Sequence, residues 1–325
     1  MIWTTLRHSK QQERLHDVHW MLKQMHTLLA MQRQGYTALG EEGYLSHPDE
    51  GFDRAITMSA WTAHPEEPVG ILGSKWVASC LKNKERDLPR GRSVTTLNCA
   101  ETGLPLLVFD GTDLSNARTA IFAIAAIELL HPHVDTIALV GAGRVHAWQA
   151  EYIRQRWPKA SLWIYDPDDH RMLLFQKAYQ AKLLRSWETA LQCDVVSFAT
   201  AGCEDGWVPR DAHFSAALWI NTSLRDIMPR MVSRFQTVIV DDKRLAASQN
   251  TPYHLASLGH QVTNTWRLCD VAHRGMDTPV LINPAGLPHV PILVNPMGMA
   301  LWDVGIGYML LQEEYQAARQ EVCDL

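Results

Sequence analysis

Thr136-Ile-Ala-Leu-Val-Gly-Ala-Gly-Arg-Val-His-Ala-Trp-Gln149 is the stretch whose reading decides the fold. Residues 137–140 are a short all-apolar run, the pattern of a strand buried on both faces of a parallel sheet. Gly141 and Gly143 permit a tight turn and a close approach of the backbone to whatever docks there. The pattern predicts a helix over residues 144–156, whose N-terminal amides carry partial positive charge and suit a pyrophosphate. Gly141, Ala142, Gly143, Arg144 and Val145 are therefore candidate dinucleotide-binding residues. Ser161-Leu-Trp-Ile-Tyr-Asp166 reads as the second strand, with an acid at its end. In that place Asp166 suits the ribose hydroxyls of NAD and repels the 2′-phosphate of NADP. His146 occupies the position of the third glycine of the usual fingerprint, and Arg171, shortly after Asp166, keeps NADP open as the alternative.

Beyond Asp166 the alternation of strand and helix continues. Strands are predicted at 195–199, 218–221, 238–240 and 291–294, and helices at 171–181 and 245–258. This order argues for an α/β fold with a Rossmann-type doubly wound parallel sheet. Upstream, residues 16–32 carry apolar side chains at helical spacing, and 35–53 read as loop. Short strands follow at 55–58, 69–77, 94–98 and 105–109, with a hairpin turn at Glu101-Thr-Gly103 and an exposed basic loop over 82–92. A helix apolar through its second half covers 114–130, residues 131–135 form a junction, and a last helix spans 301–319. The expected organisation is an α+β domain over 1–120, completed by 300–325, and a dinucleotide-binding domain over 121–299.

A chain of 325 residues with 46% hydrophobic content has material for two cores. Its formal net charge of −5 argues against nucleic acid or an anionic membrane as partner, and for a small charged metabolite. No apolar run reaches membrane-spanning length, and the first residues carry no signal-peptide core. Six scattered cysteines fit reduced thiols in a cytoplasm. Fifteen histidines show no paired ligand spacing, so no metal is expected.

Four further places carry candidate chemistry. Lys75, in Gly73-Ser-Lys-Trp-Val77, is either a partly desolvated lysine able to work near neutral pH or an edge-strand lysine facing solvent. Arg118, placed in the first turn of the helix over 114–130, runs against the helix dipole, with Asp113 or Ser115 as the cap. It either grips a substrate carboxylate in bidentate fashion or pairs with Asp110 or Asp113. Arg225 and Asp226 follow a strand of the parallel sheet, where ligands bind, although a loop salt bridge would also account for them. Asp303 opens the last helix, where an acid suits the dipole.

Lys75-Trp-Val, Leu97-Asn-Cys-Ala-Glu-Thr-Gly-Leu-Pro105, Ala117-Arg-Thr-Ala120, Val140-Gly-Ala-Gly143 and Asn295-Pro-Met-Gly-Met-Ala-Leu-Trp-Asp303 occur in one order. Together they resemble the ornithine cyclodeaminase/mu-crystallin family. Ser223-Leu-Arg-Asp-Ile227 and the segment ending at Asp303 are closer to one branch of it. That branch holds the NAD-dependent N-(2-amino-2-carboxyethyl)-L-glutamate dehydrogenases, which release 2,3-diaminopropionate in siderophore and antibiotic pathways. The resemblance implies a homodimer whose first domain binds an amino-acid substrate and dimerises. It implies Lys75 and Asp226 as catalytic residues, Arg118 as carboxylate anchor with Arg225 in the cleft, and Thr119 and Asp303 beside the glycine turn as cofactor-binding residues. Ornithine cyclodeamination without net redox change, or dinucleotide-dependent binding of the mu-crystallin kind, are the alternatives. Family members carry an arginine just before the strand that here begins near Arg54. This chain has Tyr44-Leu-Ser-His47 there, so either Arg90 or Arg92 substitutes or the substrate differs.

Overall fold

The structure, a computed structural model, describes residues 8–46, 54–64, 69–86, 88–201, 206–235, 237–247, 250–259, 262, 264–274 and 291–323. The chain divides into two compact units, Met1–Arg118 with Met299–Leu325, and Thr119–Gly298.

The first unit opens with helices α1 (His8–His16) and α2 (Val18–Gln34). Asp17 caps α2 by accepting the amides of His19 and Trp20, and Gly35 ends it at φ +82, where a side chain would be strained. The buried stripe of Val18, Met21, Leu22, Met25, Leu28 and Leu29 is the periodic face read from sequence. An antiparallel sheet follows, from β1 (Thr37–Leu39), β2 (Gly43–Leu45), β3 (Arg54–Thr62), β4 (Ile71–Ser79), β5 (Gly91–Cys99) and β6 (Pro105–Asp110). Its order is β1-β3-β4-β5-β6, with β2 also on β3. Two readings change here. The segment 35–53 holds β1 and β2 rather than loop alone, its residues from His47 on lying outside the described ones. Within 82–92, a 3-10 helix (Leu81–Arg86) and the start of β5 replace most of the loop.

Helix α3 (Thr112–Leu130) carries the chain into the second unit, the division falling inside it. That unit runs β7 (Thr136–Val140), α4 (Arg144–Arg156), β8 (Ser161–Tyr165), α5 (Asp169–Tyr179), β9 (Lys182–Leu183), α6 (Trp187–Ala190), β10 (Val195–Phe198) and β11 (Leu218–Asn221). It continues with α7 (Pro229–Val232), β12 (Thr237–Val240), α8 (Lys243–Ala246), α9 (Pro252–Leu258), β13 (Asn264–Arg267), α10 (Leu268–Arg274) and β14 (Ile292–Val294). The eight strands pair parallel in the order β13-β12-β14-β11-β10-β7-β8-β9. This is the doubly wound sheet expected from the alternation. Because β8 lies on one side of β7 and β10 on the other, the chain reverses direction at β7, and ligands of such sheets bind at that crevice. The single helix expected over 245–258 is two: Asn250 turns at φ +46, and Thr251 caps α9 with Pro252 at its start.

The last helix, α11 (Ala300–Cys323), packs on β3, β4 and β5 of the first unit. Among the described residues no helix is long and apolar enough to cross a membrane, and no group of His, Cys, Asp or Glu could hold a metal ion.

Candidate functional site

In the second unit the carboxyl ends of neighbouring strands collect the polar groups. Gly141, just after β7, sits at φ +109, and a Cβ there would stand 2.5 Å from the Ala199 carbonyl oxygen after β10. Only glycine fits that contact. Gly143 caps α4 without a side-chain hydrogen bond. Asp166, after β8, is buried, accepting the Ala142 amide at 2.7 Å and the Asp168 amide at 3.0 Å. Half-exposed Arg171 donates to the Ala142 carbonyl at 2.9 Å and lies 3.8 Å from Asp166 Oδ2. Arg144 is exposed and Val145 half-buried in the first turn of α4. These residues fit a dinucleotide: a turn with no room for side chains, a helix N-terminus without a side-chain cap, and a carboxylate at the next strand end.

His146 shows how this chain dispenses with the third glycine. Its ring is fully buried, with Nδ1 donating to the Gly141 carbonyl and Nε2 3.2 Å from Ser197 Oγ. Burial pushes its pKa down to about 4, against the smaller opposing pulls of the Gly141 carbonyl and Asp166, so the imidazole is neutral. A donor that ties the glycine turn to its own helix thus replaces the missing Cβ-free position.

Asp226 is fully buried five residues beyond the end of β11. Its Oδ1 accepts the Thr200 hydroxyl and the Trp207 indole N–H, the latter at 2.9 Å, while Oδ2 has no hydrogen-bond partner among the described residues. Burial raises its pKa despite those two donors. Arg225 and Asp226 form no ion pair with each other among the described residues; Arg225 donates to the Asn250 carbonyl. Leu224, two residues before Asp226, holds φ +69, a conformation strained for leucine. Thr200 belongs to both features: its methyl lies 3.3 Å from where a Gly141 Cβ would be, and its hydroxyl meets Asp226. Sequence reading missed Thr200, although it directly follows a strand at the reversal point.

In the first unit Lys75 is buried at the middle of β4, paired in register with Met58 and Thr95 of its neighbours, so it is no edge-strand lysine. Its Nζ donates to Ser115 Oγ at 2.6 Å and to Asp303 Oδ1 at 2.9 Å. Burial lowers its pKa to about 8, opposed by Asp303 and assisted by Arg118. Arg118 Nε lies 3.1 Å from Asp303 Oδ2, as an ion pair without hydrogen-bond alignment. No hydrogen bond to the two terminal amino groups of Arg118 occurs among the described residues, although the side chain is only 9% exposed.

Several assignments are corrected by this cluster. Helix α3 starts at Thr112, so Arg118 is in its second turn, and Asp113 and Ser115 lie inside the helix instead of capping it. Asp110 accepts the Thr112 amide, and Asp113 accepts from Gln12, so neither pairs with Arg118. Asp303, expected among the cofactor contacts, is fully buried against Lys75 and Arg118. Thr119 follows Arg118, half-buried. Arg90 is exposed and donates to Ser79 Oγ. Arg92, near the start of β5, is three residues from Thr95, the level of Lys75, or about 10 Å at strand rise, and Arg90 lies just before that strand.

Comparison with known proteins adds four findings. A family model described as the ornithine cyclodeaminase/mu-crystallin family matches residues 29–216. The nodulation efficiency protein NfeD of Rhizobium meliloti is 32% identical over 139 residues, 41% of this chain and 43% of that protein, so the chain spans less than half of that relative. The N-((2S)-2-amino-2-carboxyethyl)-L-glutamate dehydrogenase of Staphylococcus aureus (strain NCTC 8325 / PS 47) is 24% identical over 304 residues, 84% of this chain and 83% of that protein. Among solved structures, an archaeal alanine dehydrogenase dimer with bound NAD superposes with a TM-score of 0.78 at 19% identity, covering 98% of each chain, a likeness of fold.

Proposed function

This chain belongs to the ornithine cyclodeaminase/mu-crystallin family, and on that premise we propose that it is an NAD-dependent oxidoreductase acting on the C–N bond of an amino-acid-derived secondary amine. The substrate proposed is N-(2-amino-2-carboxyethyl)-L-glutamate, split into 2,3-diaminopropionate and 2-oxoglutarate. The observation that carries the reading is Arg118, nearly buried beside Lys75, with its amino groups left for a planar anion. A substrate carboxylate matches that fork. The relative named for this reaction, similar over most of the chain, supports the substrate, and Asp166 supports NAD.

NAD, which Gly141, Gly143 and Asp166 would hold, would supply the acceptor for the hydride that leaves the carbon bearing the secondary nitrogen. That nitrogen loses its proton, and an imine remains. Water adds to the imine carbon, and the resulting carbinolamine breaks its C–N bond to give a 2-oxo acid and a primary amine. One secondary amine, one water and one NAD thus yield a 2-oxo acid, a primary amine, one NADH and one proton. Arg118 orients the substrate, which removes part of the entropic barrier. Asp226, its basicity raised by burial, takes the proton from water at the unpartnered Oδ2. Lys75, titrating near 8, returns a proton to the departing nitrogen.

Incubating the purified protein with this substrate and NAD should raise the near-ultraviolet absorbance of NADH in step with 2-oxoglutarate. Ammonia and proline from ornithine, with no net NADH, would replace this reading with cyclodeamination. Nucleotide and amino acid bound without turnover would leave a mu-crystallin-like binder.

We also propose a homodimer built on the outer face of the first unit's sheet. Leu72 and Trp76 share that face of β4, and Trp76 stands opposite Val94 of β5, all three exposed. Apolar exposure of this kind marks an association surface. Light scattering should give twice the monomer mass, falling to one in a Trp76→Glu variant. A monomeric parent protein would refute the proposal.

A further inference from the structure

Lys75 and Arg118 present a physical problem. Two cations buried side by side repel one another, and each loses its hydration. Asp303, from the first turn of α11, lies between them with one carboxylate oxygen on each, and it is fully buried. In the sheet, the register neighbours of Lys75 are Met58 and Thr95, which bring no charge. From α3 it meets Ser115, neutral, and Arg118. Among the described residues Asp303 is therefore the anion that faces Lys75.

We propose that Asp303 is the positioning residue of this cluster, holding Lys75 protonated and turning Arg118 so that its terminal amino groups face a carboxylate ligand. The proposal rests on the reading of Lys75 and Arg118 as substrate-facing groups. The geometry divides the work. Asp303 Oδ1 engages Lys75, whose second contact is the Ser115 hydroxyl. Oδ2 engages the Nε edge of Arg118, on the stem side of the guanidinium, which leaves the distal fork for a ligand. The cluster then carries one net positive charge, matched to a single carboxylate.

The charge balance gives opposite signs for two variants. In Asp303→Asn, Lys75 faces Arg118 with no anion, so its protonated form is lost at lower pH than in the parent. In Arg118→Met a like charge is removed, so the protonated form persists to higher pH. Acylation of Lys75 by acetic anhydride across pH, read by mass spectrometry of the peptide that carries it, follows this titration without substrate or nucleotide. Calorimetry with 2-oxoglutarate over the same pH range follows the carboxylate grip, which a purely architectural Asp303 would leave in place.

The labelling midpoint should sit near 8 in the parent. It should fall by about one pH unit or more in Asp303→Asn, return in Asp303→Glu, and rise in Arg118→Met. Binding of 2-oxoglutarate should weaken at least about tenfold at neutral pH in Asp303→Asn, its pH midpoint moving with that of Lys75. An unchanged labelling midpoint, or unchanged binding, overturns the proposal. If Asp303→Asn does not fold, Arg118→Met decides: a midpoint that stays or falls refutes it. Shifted labelling in a parent that binds no 2-oxoglutarate would instead overturn the substrate reading, leaving the control of Lys75 standing.

Discussion

Gly73 sets how closely α11 can approach β4, and replacing it with alanine tests that directly. The added Cβ would stand 2.4 Å and 2.7 Å from the two methyl carbons of Val304, and 3.0 Å from the Thr96 carbonyl oxygen. Carbon atoms settle at about 3.5–4.0 Å, so a displacement of about 1 Å is required. Val304 is fully buried, and a β-branched side chain in a helix has essentially one rotamer, so it cannot swing aside. The Thr96 carbonyl belongs to β5 and is equally fixed. The helix must lift, taking Asp303 away from Lys75, now 2.9 Å distant. Overpacking of this kind costs about 1–3 kcal/mol. Val304→Ala alone, by deleting buried methyl groups, should cost about 2 kcal/mol. The two changes together relieve the collision, so the double variant should be more stable than the sum of the singles by about 1–2 kcal/mol. Urea unfolding followed by circular dichroism gives all four values. A Gly73→Ala protein as stable as the parent, or a coupling of zero, would refute the argument.

Three other substitutions probe the remaining features. His146 is neutral in the fold, its pKa lowered to about 4, while in the unfolded chain it titrates near 6.5. The unfolded state therefore binds the proton first as pH falls, so stability present above pH 6.5 drains away toward pH 4, by about 3 kcal/mol in all; urea midpoints at several pH values should lose this slope in His146→Gln, and a slope that persists would assign it elsewhere. Asp166→Ser removes the carboxylate that faces the ribose but leaves Arg171 in place, so calorimetry should show NAD binding weakened about tenfold and NADP binding strengthened by a similar factor; equal loss of both nucleotides would exclude Arg171 as a phosphate ligand. Lys75→Ala should abolish NADH formation while NAD still binds, since the glycine turn contains none of its contacts; surviving turnover would remove Lys75 from the chemistry.

What sequence could reveal tracks the range of the interaction. The glycine turn, α4 and the buried strands β7, β8, β10 and β11 are written in consecutive residues, apolar runs bounded by glycine or polar turns. β1 and β2 escaped because three-residue strands of mixed character show no period. The break before α9 was readable: Thr251 followed by Pro252 is a helix-start signal that the run of apolar residues obscured. Asp303 was not. The helix dipole already accounted for an acid at that point, and its partner Lys75 is 228 residues away. Local rules found each member of the cluster and could not show that they meet.

Three of the chain's twelve tryptophans belong to the packing around Asp226. Phe198 stacks on Trp219 at 5.6 Å, Trp219 meets Phe214 and Phe235 edge-on, and Trp207 lies edge-on to Phe198 and Trp187. Contacts of this geometry hold ring planes as well as fill space. Trp207 is the member whose polar edge leaves the cluster, and its N–H goes to Asp226 Oδ1. Thr200 donates to the same oxygen, so both donors converge on one side of the carboxylate. The other oxygen is unmatched among the described residues, which is where the cost of burying the acid is concentrated. A buried carboxylate with donors on both oxygens would be a stable but inert group. One with both donors on a single oxygen keeps a basic atom, and the aromatic packing fixes which atom that is.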